Sequence, residues 1–478
     1  MIGSIYRITI AFFALLFIAC NATTTEEPPV ASSNSDEEEL PTALREGIKI
    51  EKFAVPQRGC VRINYDPTTE SFLYNTMRGD IYQVSPDGKS EELIATAEDH
   101  GITTLQGFRL YQDLMFLVGN IDSNGDKGTK GKIVRGTRQP DGNYTFELLA
   151  ITEDYGRTAT IYSHEFNGIA VDLAGEYIYV NSGARTDHGE LQDNEGAYPG
   201  AREVPLTACI FRLPADGKDI LLKNDSIDLA ANGYLFSDGV RNAYDLTFSP
   251  EGKLFGVSNS SDYDHPEEMN WFREGRHYGY PWEMGGIQNP QQFPDWDPDP
   301  EKDPFINTMA FAHRGKQFRN DPEFPPKPAN VEFVPPIQNH GPDANIYRDR
   351  ETGLIMDADT TGATVGTFTP HRSPLGLFFD RDSVLADPYR GDAFVLSWSD
   401  GKTQPLMRPF SPLGADLIHL ELTYDAAIDN YALRSYRIVG DFRGPTDAVQ
   451  VGDHIYVIEN RGSKWKITLT SGTPLASR

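Results

Sequence analysis

One short phrase recurs six times along the chain: a turn carrying Asp, Gly or Glu, then a short strand rich in aromatic and β-branched residues. It stands at Ser71-Phe72-Leu73-Tyr74, Asp113-Leu114-Met115-Phe116-Leu117-Val118 and Gly175-Glu176-Tyr177-Ile178-Tyr179-Val180. It returns at Gly252-Lys253-Leu254-Phe255-Gly256-Val257, Gly391-Asp392-Ala393-Phe394-Val395-Leu396 and Gly452-Asp453-His454-Ile455-Tyr456-Val457. A strand this short cannot bury both of its faces alone, and one supersecondary unit repeated in series solves that problem by closing into a ring. The expectation is an all-β, six-bladed β-propeller, with an irregular β-sandwich or two β-domains as the competing architectures. Spacing between repeats runs from about 40 residues to well over 100, against about 40–50 in regular propellers, so long loops must be inserted. The widest gap, about 260–390, is rich in Pro, Trp and Asp and is expected to pass over one face of the ring. Some repeats are expected to be followed by a strand that opens the next sheet, as at Gly79-Asp80-Ile81-Tyr82-Gln83-Val84.

The 478 residues carry a formal net charge of −27, which repels nucleic acid and anionic lipid and leaves a DNA-binding role without an electrostatic basis. Arg7 precedes an apolar run over residues 8–18, too short for a stable membrane span, and the run ends in Phe17-Ile18-Ala19-Cys20. That ending resembles the lipobox of bacterial lipoproteins. It implies a signal peptide over residues 1–20, lipidation at Cys20, and anchoring to the bacterial cell envelope, most simply the outer membrane, with membrane contact only through the N-terminal lipid. Residues 21–45 are polar, acidic and rich in Pro, Ser and Thr, a composition that cannot bury enough surface to fold and is expected to form a flexible tether. The propeller is expected over 46–470 and a tail over 471–478. Cys60 and Cys209 are either a disulfide pair or two separate buried thiols.

One segment carries a specific resemblance. Gly239-Val240-Arg241-Asn242-Ala243-Tyr244-Asp245-Leu246-Thr247-Phe248-Ser249-Pro250-Glu251-Gly252-Lys253-Leu254 is similar to the G-x-R-N-x-x-x-L-x-F-x-P-x-G-x-L run of the soluble quinoprotein glucose/sorbosone dehydrogenases. Downstream, Glu267-Glu268-Met269-Asn270 and Gly275-Arg276-His277-Tyr278-Gly279-Tyr280-Pro281 resemble that family's acidic-x-Asn and G-x-x-Y-G-W-P elements. Further likeness lies in Ser163-His164-Glu165-Phe166-Asn167-Gly168, in the segments beginning at Pro370 and Tyr389, and in Asp441-Phe442-Arg443-Gly444. The resemblance covers about residues 46–470.

It implies an enzyme that oxidises a hydroxyl of a sugar or polyol with pyrroloquinoline quinone (PQQ) and calcium and passes electrons to an external acceptor. Such chemistry needs a base for the hydroxyl proton and a cofactor to accept hydride, since no side chain is a good hydride acceptor. The resemblance assigns the base to His164, whose imidazole titrates near neutral pH in its ordinary state. Arg241 is implied as a fixed positive charge against the quinone and Asn242 as an amide oriented on it. Arg443 and Lys402 are implied as further cations for the carboxylated cofactor, and the backbone carbonyls of Ser260 and Ser261 as calcium ligands. Asp122-Ser123-Asn124-Gly125-Asp126 looks like part of a calcium loop but lacks the distal glutamate, and is expected to be a hairpin turn. Two other functions remain open on the sequence: a non-catalytic propeller that binds carbohydrate or protein, and a calcium-dependent lactone hydrolase.

Overall fold

The computed structural model describes residues 41–400, 410 and 414–470. Cys20 and the signal segment, most of the expected tether, Lys402 and the tail 471–478 lie outside these described residues.

Six sheets stand in a ring. Their innermost strands, Cys60–Asp66, Thr104–Tyr111, Glu165–Val171, Ala243–Phe248, Pro374–Phe379 and Pro445–Val451, each touch the next, and the last touches the first. They open blades one to six in chain order. All six recurring sequence phrases fall on the second strand of a blade: Ser71–Thr76, Leu114–Ser123, Tyr177–Gly183, Leu254–Ser258, Ala393–Ser397 and His454–Glu459. Ile81–Val84, expected to open a new sheet, is instead the third strand of blade one, paired with Ser71–Thr76. The tight turn at Gly79 favours direct antiparallel return over a crossing to the next blade.

The core is divided among the gaps between blades. Leu73 and Ile81 of blade one meet Phe108 and Met115 of blade two, and Phe116 and Val118 meet Phe166 and Phe211 of blade three. The same wedge-filling continues through Tyr179 with Phe248, Phe255 with Phe379, Leu396 with Ile455, and Phe72 with Tyr456. Each second strand is therefore apolar on both faces, which is why the repeat reads as a continuous run and not as an alternation.

The ring is closed by Ile48–Ala54, which pairs antiparallel with Lys464–Leu469 as the outer strand of blade six. The expected tether also ends earlier than residue 45. Thr42–Ala43 pairs with Gly440 and Val439 on the edge of blade five, and Arg45 donates to Asp343 at 2.7 Å. These backbone partners offset the ordering cost that composition alone suggested would not be met.

Every inner strand slips register against its neighbour near its start, as at Cys60/Arg62, Leu105/Gly107, Phe166/Ile169, Ala243/Asp245, Pro374/Leu377 and Pro445/Asp447. Bulges of this kind bend a strand and re-aim its side chains. Here they place Arg62, Asp245 and Asp447 in one buried network with Arg109. Arg109 lies 2.7 Å from Asp245 and 3.7 Å from Asp447, and Arg62 lies 3.3 Å from Asp245. The backbone N–H of Ile63 donates to Asp447 and that of Leu377 to Asp245, so the cluster ties blades one, two, four, five and six together.

Residues 122–126 lie at a hairpin, as expected: Asp122 and Ser123 end the strand Leu114–Ser123, and residues 124–127 turn into Gly128–Arg138. Cys60 and Cys209 are separate buried free thiols. Burial pushes the Cys60 thiol up to about 12.

Candidate functional site

In an antiparallel blade the start of the first strand and the end of the second lie at the same rim. Residues just before the inner strands of blades three, four and five therefore meet residues just after the second strands of blades four and five. His164 precedes Glu165–Val171, Arg241 and Asn242 precede Ala243–Phe248, and His371 and Ser373 precede Pro374–Phe379. Asn259, Ser260 and Asp262 follow Leu254–Ser258, and Trp398 and Ser399 follow Ala393–Ser397. All of them line one cavity of about 930 Å³, its open mouth included, together with Tyr162, Tyr244, Glu267, Phe311 and Leu375. Phe311 comes from the 260–390 excursion, which covers this rim.

Local backbone needs explain part of the sequence here. Gly239 has φ 69°, and a Cβ there would stand 2.3 Å from the His277 ring, so only glycine permits the turn that delivers Arg241. Glu165, His371 and Ser373 also adopt positive φ where the chain enters blades three and five.

His164 is buried, and its Nδ1 lies 2.9 Å from the Ala184 carbonyl oxygen. A carbonyl only accepts, so Nδ1 carries the proton and Nε2 is the basic nitrogen. Burial, then the charge of Arg241, push this imidazole down to about 3, against a smaller upward pull from the carbonyls of Ala184 and Tyr162. The ring is neutral at physiological pH.

Arg241 is clamped. Its Nε donates to the Asp187 carbonyl at 2.8 Å, Nη2 to Asp187 Oδ1 at 2.8 Å and Nη1 to the Asn259 carbonyl at 2.9 Å. One hydrogen on each terminal nitrogen is left over for a ligand. Asp187 also accepts from the backbone N–H of Asp262 at 3.0 Å and from His188 Nδ1 at 2.8 Å. Burial opposes its charge, but His188 and Arg241 outweigh this and hold it below the usual carboxylate range.

An amide relay orients Asn242. Asn181 donates to Asn167 at 2.8 Å, and Asn167 donates to Asn242 Oδ1 at 2.8 Å. The oxygen of Asn242 is thereby spent, and its NH₂ end is the one presented to a ligand.

The opposite wall is acidic, which the sequence reading missed. Glu267 accepts from the backbone N–H groups of Ser260 at 2.6 Å and Ser373 at 3.1 Å; burial raises its carboxyl above the ordinary value. Asp262 accepts from Tyr162 at 2.5 Å and from the Ala312 N–H at 2.8 Å, and is raised by burial and by Asp187. His371 donates to Asp264 at 2.8 Å. Burial works against its charge, yet Asp264, Glu267 and Asp262 together raise it. Glu267 and His371 stood inside recognised motifs, and their glutamate-pair and Pro-His contexts were the available signal. Asp187 had none, since its loop repeats nothing else in the chain.

The structure brings His164, Arg241, Asn242 and Ser260 together and leaves other expected residues outside. Ser261 is buried beside the cavity with its Oγ 2.9 Å from His265 Nδ1. Arg443 does not reach the cavity: it is exposed, and its backbone N–H donates to Glu459. The turn over 441–444 carries positive φ at Asp441 and Gly444.

Fold and site together define the class: a six-bladed β-propeller with a buried His, Arg and Asn set and an acidic wall at one mouth of its axis. No protein-family profile matches the sequence, and no curated protein matches it. Solved structures do. A Thermus thermophilus oxidoreductase described as a glucose dehydrogenase is 15% identical, with 88% of this chain and 100% of that one covered, at a TM-score of 0.52. The soluble aldose sugar dehydrogenase of Escherichia coli in its apo form is 14% identical, with 88% and 99% covered, at 0.52. The holo PQQ domain of pyranose dehydrogenase from Coprinopsis cinerea is 12% identical, with 91% and 98% covered, at 0.53. At these identities the likeness is one of fold: the chain has the six-bladed propeller architecture of soluble sugar dehydrogenases.

Proposed function

We propose that the chain oxidises a hydroxyl of a sugar or polyol, with PQQ as hydride acceptor, calcium beside it, and an external acceptor for the electrons. The observation that carries this reading is the convergence of His164, Arg241 and Asn242 on one cavity at the mouth of the ring. The donor set fits a flat quinone. Trp398 and Tyr244 give aromatic walls, the Tyr244 hydroxyl is buried without a hydrogen-bond partner, and Asn242 and Arg241 keep N–H groups for it. Asp262 and Glu267, with the backbone of Ser260 and Ser261, supply the hard oxygens that calcium prefers, and the cation would offset the carboxylates.

Once bound, the quinone supplies the two-electron acceptor that the side chains lack. The remaining work falls to the protein. His164, held in one tautomer by the Ala184 carbonyl, takes the substrate hydroxyl proton at Nε2. Arg241, fixed from behind by Asp187, places positive charge where negative charge develops, without moving during the reaction. Asn242 directs its NH₂ by way of Asn167. Leu375, Phe311 and Ile161 exclude water and strengthen these interactions. Export and lipid anchoring through Cys20 at the bacterial outer membrane complete the proposal.

A second reading, a propeller that binds sugar without catalysis, draws on one observation. Arg443 stays outside, and the cavity wall carries Asp262 and Glu267 where a tricarboxylate cofactor calls for cations. One experiment separates the two. Full-length protein is supplied with calcium and PQQ and assayed for dye reduction across sugars, beside His164→Ala. Quinone uptake with turnover that falls about 10²–10⁴-fold in the variant supports the dehydrogenase. Sugar binding without quinone uptake supports the second reading.

A further inference from the structure

Blade five carries a cluster remote from the cavity. Asp392 precedes Ala393–Ser397, whose far end leads to Trp398 in the cavity, so Asp392 lies towards the opposite rim. His419 and Glu421 lie two apart on the next strand, Asp416–Asp425, and so share one face of the sheet. His419 is paired with Phe394, which puts Asp392 on that face as well. One imidazole nitrogen and two carboxylate oxygens of these three side chains lie within 4.8 Å of one another, and His419 Nε2 is 2.8 Å from Asp392 Oδ2.

Two features of this cluster, whose carboxylates are half-buried about a buried imidazole, point to a cation. Asp187, Asp245, Asp264 and Asp416 each face an arginine. Neither Asp392 nor Glu421 has a lysine or arginine ion pair among the described residues. Arg434 is directly across from Glu421, yet its Nε donates to the Tyr436 hydroxyl at 2.9 Å, and that hydroxyl in turn donates to Glu421 at 3.2 Å. The second feature is the ring of His419. It is fully buried among Tyr389, Phe394 and Tyr436, and its Nδ1 has no hydrogen-bond partner. A lone pair buried without a donor loses its solvation outright, whereas an N–H recovers some energy against aromatic faces. While Nε2 faces the Asp392 carboxylate at 2.8 Å it carries the proton, since a carboxylate only accepts; a cation that takes the Nε2 lone pair moves that proton to Nδ1, which then meets the aromatic faces around it.

We propose that Asp392, His419 and Glu421 form a divalent-cation site for a borderline metal of the zinc type, which staples the second and third strands of blade five. Imidazole with carboxylate suits such ions. Tetrahedral coordination at ~2.0 Å sets ligand atoms about 3.3 Å apart, within the span these three already occupy. The Tyr436 hydroxyl holds the Glu421 carboxylate from outside, as second-layer partners of metal ligands do.

The test uses full-length protein stripped with EDTA and titrated with Zn²⁺ by calorimetry, beside Glu421→Gln, Asp392→Asn and His164→Ala. The expected result is a zinc site present in the parent and in His164→Ala but lost in Glu421→Gln and Asp392→Asn. Zinc should raise the melting temperature of the first two proteins and not of the last two. Equal melting of all four in EDTA shows that the variants fold. No uptake by the parent, or zinc binding of equal stoichiometry in Glu421→Gln and Asp392→Asn, overturns the proposal.

Discussion

Asp187 grips Arg241 twice, through its carboxylate and through its own backbone carbonyl, each at 2.8 Å. The arginine at the cavity is thus not a free side chain that finds a ligand. It is a charge fixed in place before anything binds.

That grip gives the first prediction. Asp187→Asn removes the counter-charge of a buried guanidinium and of His188 together, and breaking a buried pair from one side costs about 3–5 kcal/mol. The urea midpoint should fall accordingly. Turnover in the dye assay should fall about 10–100-fold, because misplacing a positioned group by about an ångström has that effect.

His164 makes a second, pH-dependent prediction. Its folded-state value is pushed down to about 3, while the unfolded chain titrates at the ordinary 6.5. The unfolded state therefore binds more protons between these values. The stability contributed by the neutral ring is complete above pH 6.5 and is lost as pH falls towards 3, at about 1.4 kcal/mol per pH unit. In cofactor-free protein the imidazole resonances of His164 should stay unmoved from pH 8 to pH 5. His164→Gln should flatten the acid side of the stability curve by that slope.

The axial network answers to a different substitution. Arg62 meets Asp245 at 3.3 Å, donates to the Gln106 carbonyl at 3.1 Å and lies 4.4 Å from the centre of the Tyr244 ring. Arg62→Met strands those acceptors in the interior and should cost about 3–5 kcal/mol by denaturant melting. Arg212→Met, which removes an exposed pair with Glu274, should cost less than about 1 kcal/mol.

Lys464 predicts a gain. Its side chain is fully buried against the Tyr74 ring at 3.7 Å, and burial pushes it down to about 8 despite Glu91. Unfolded lysine binds its proton up to about pH 10.4, so stability rises with pH between 8 and that value, and below 8 the whole penalty stands. Lys464→Met should raise the denaturation midpoint at pH 7 by an amount on the order of 3 kcal/mol, with a smaller gain at pH 10.

The ring was legible in the sequence because second strands are packed on both faces, and that demand writes the same apolar phrase six times. The order of strands within a blade was less legible: Ile81–Val84 looks the same as a third strand or as a first, and only the turn at Gly79 decides. At the cavity, His164, Arg241 and Asn242 were singled out through the motifs that resemble those of the sugar dehydrogenases. Glu267 was named only as part of a motif, and Asp262 was not singled out. An acidic residue in an acidic chain carries no signal of its own until the fold removes it from water. Arg443 carried a motif signal, yet it is exposed and absent from the cavity lining.

The pairing of Ile48–Ala54 with Lys464–Leu469 joins segments more than 400 positions apart. A ribosome must finish almost the entire propeller before Ile48–Ala54 can find its mate. Until then a nascent ring presents two raw sheet edges, and the chain depends on whatever shields them during synthesis. Closure of the ring thereby waits on the synthesis of Lys464–Leu469.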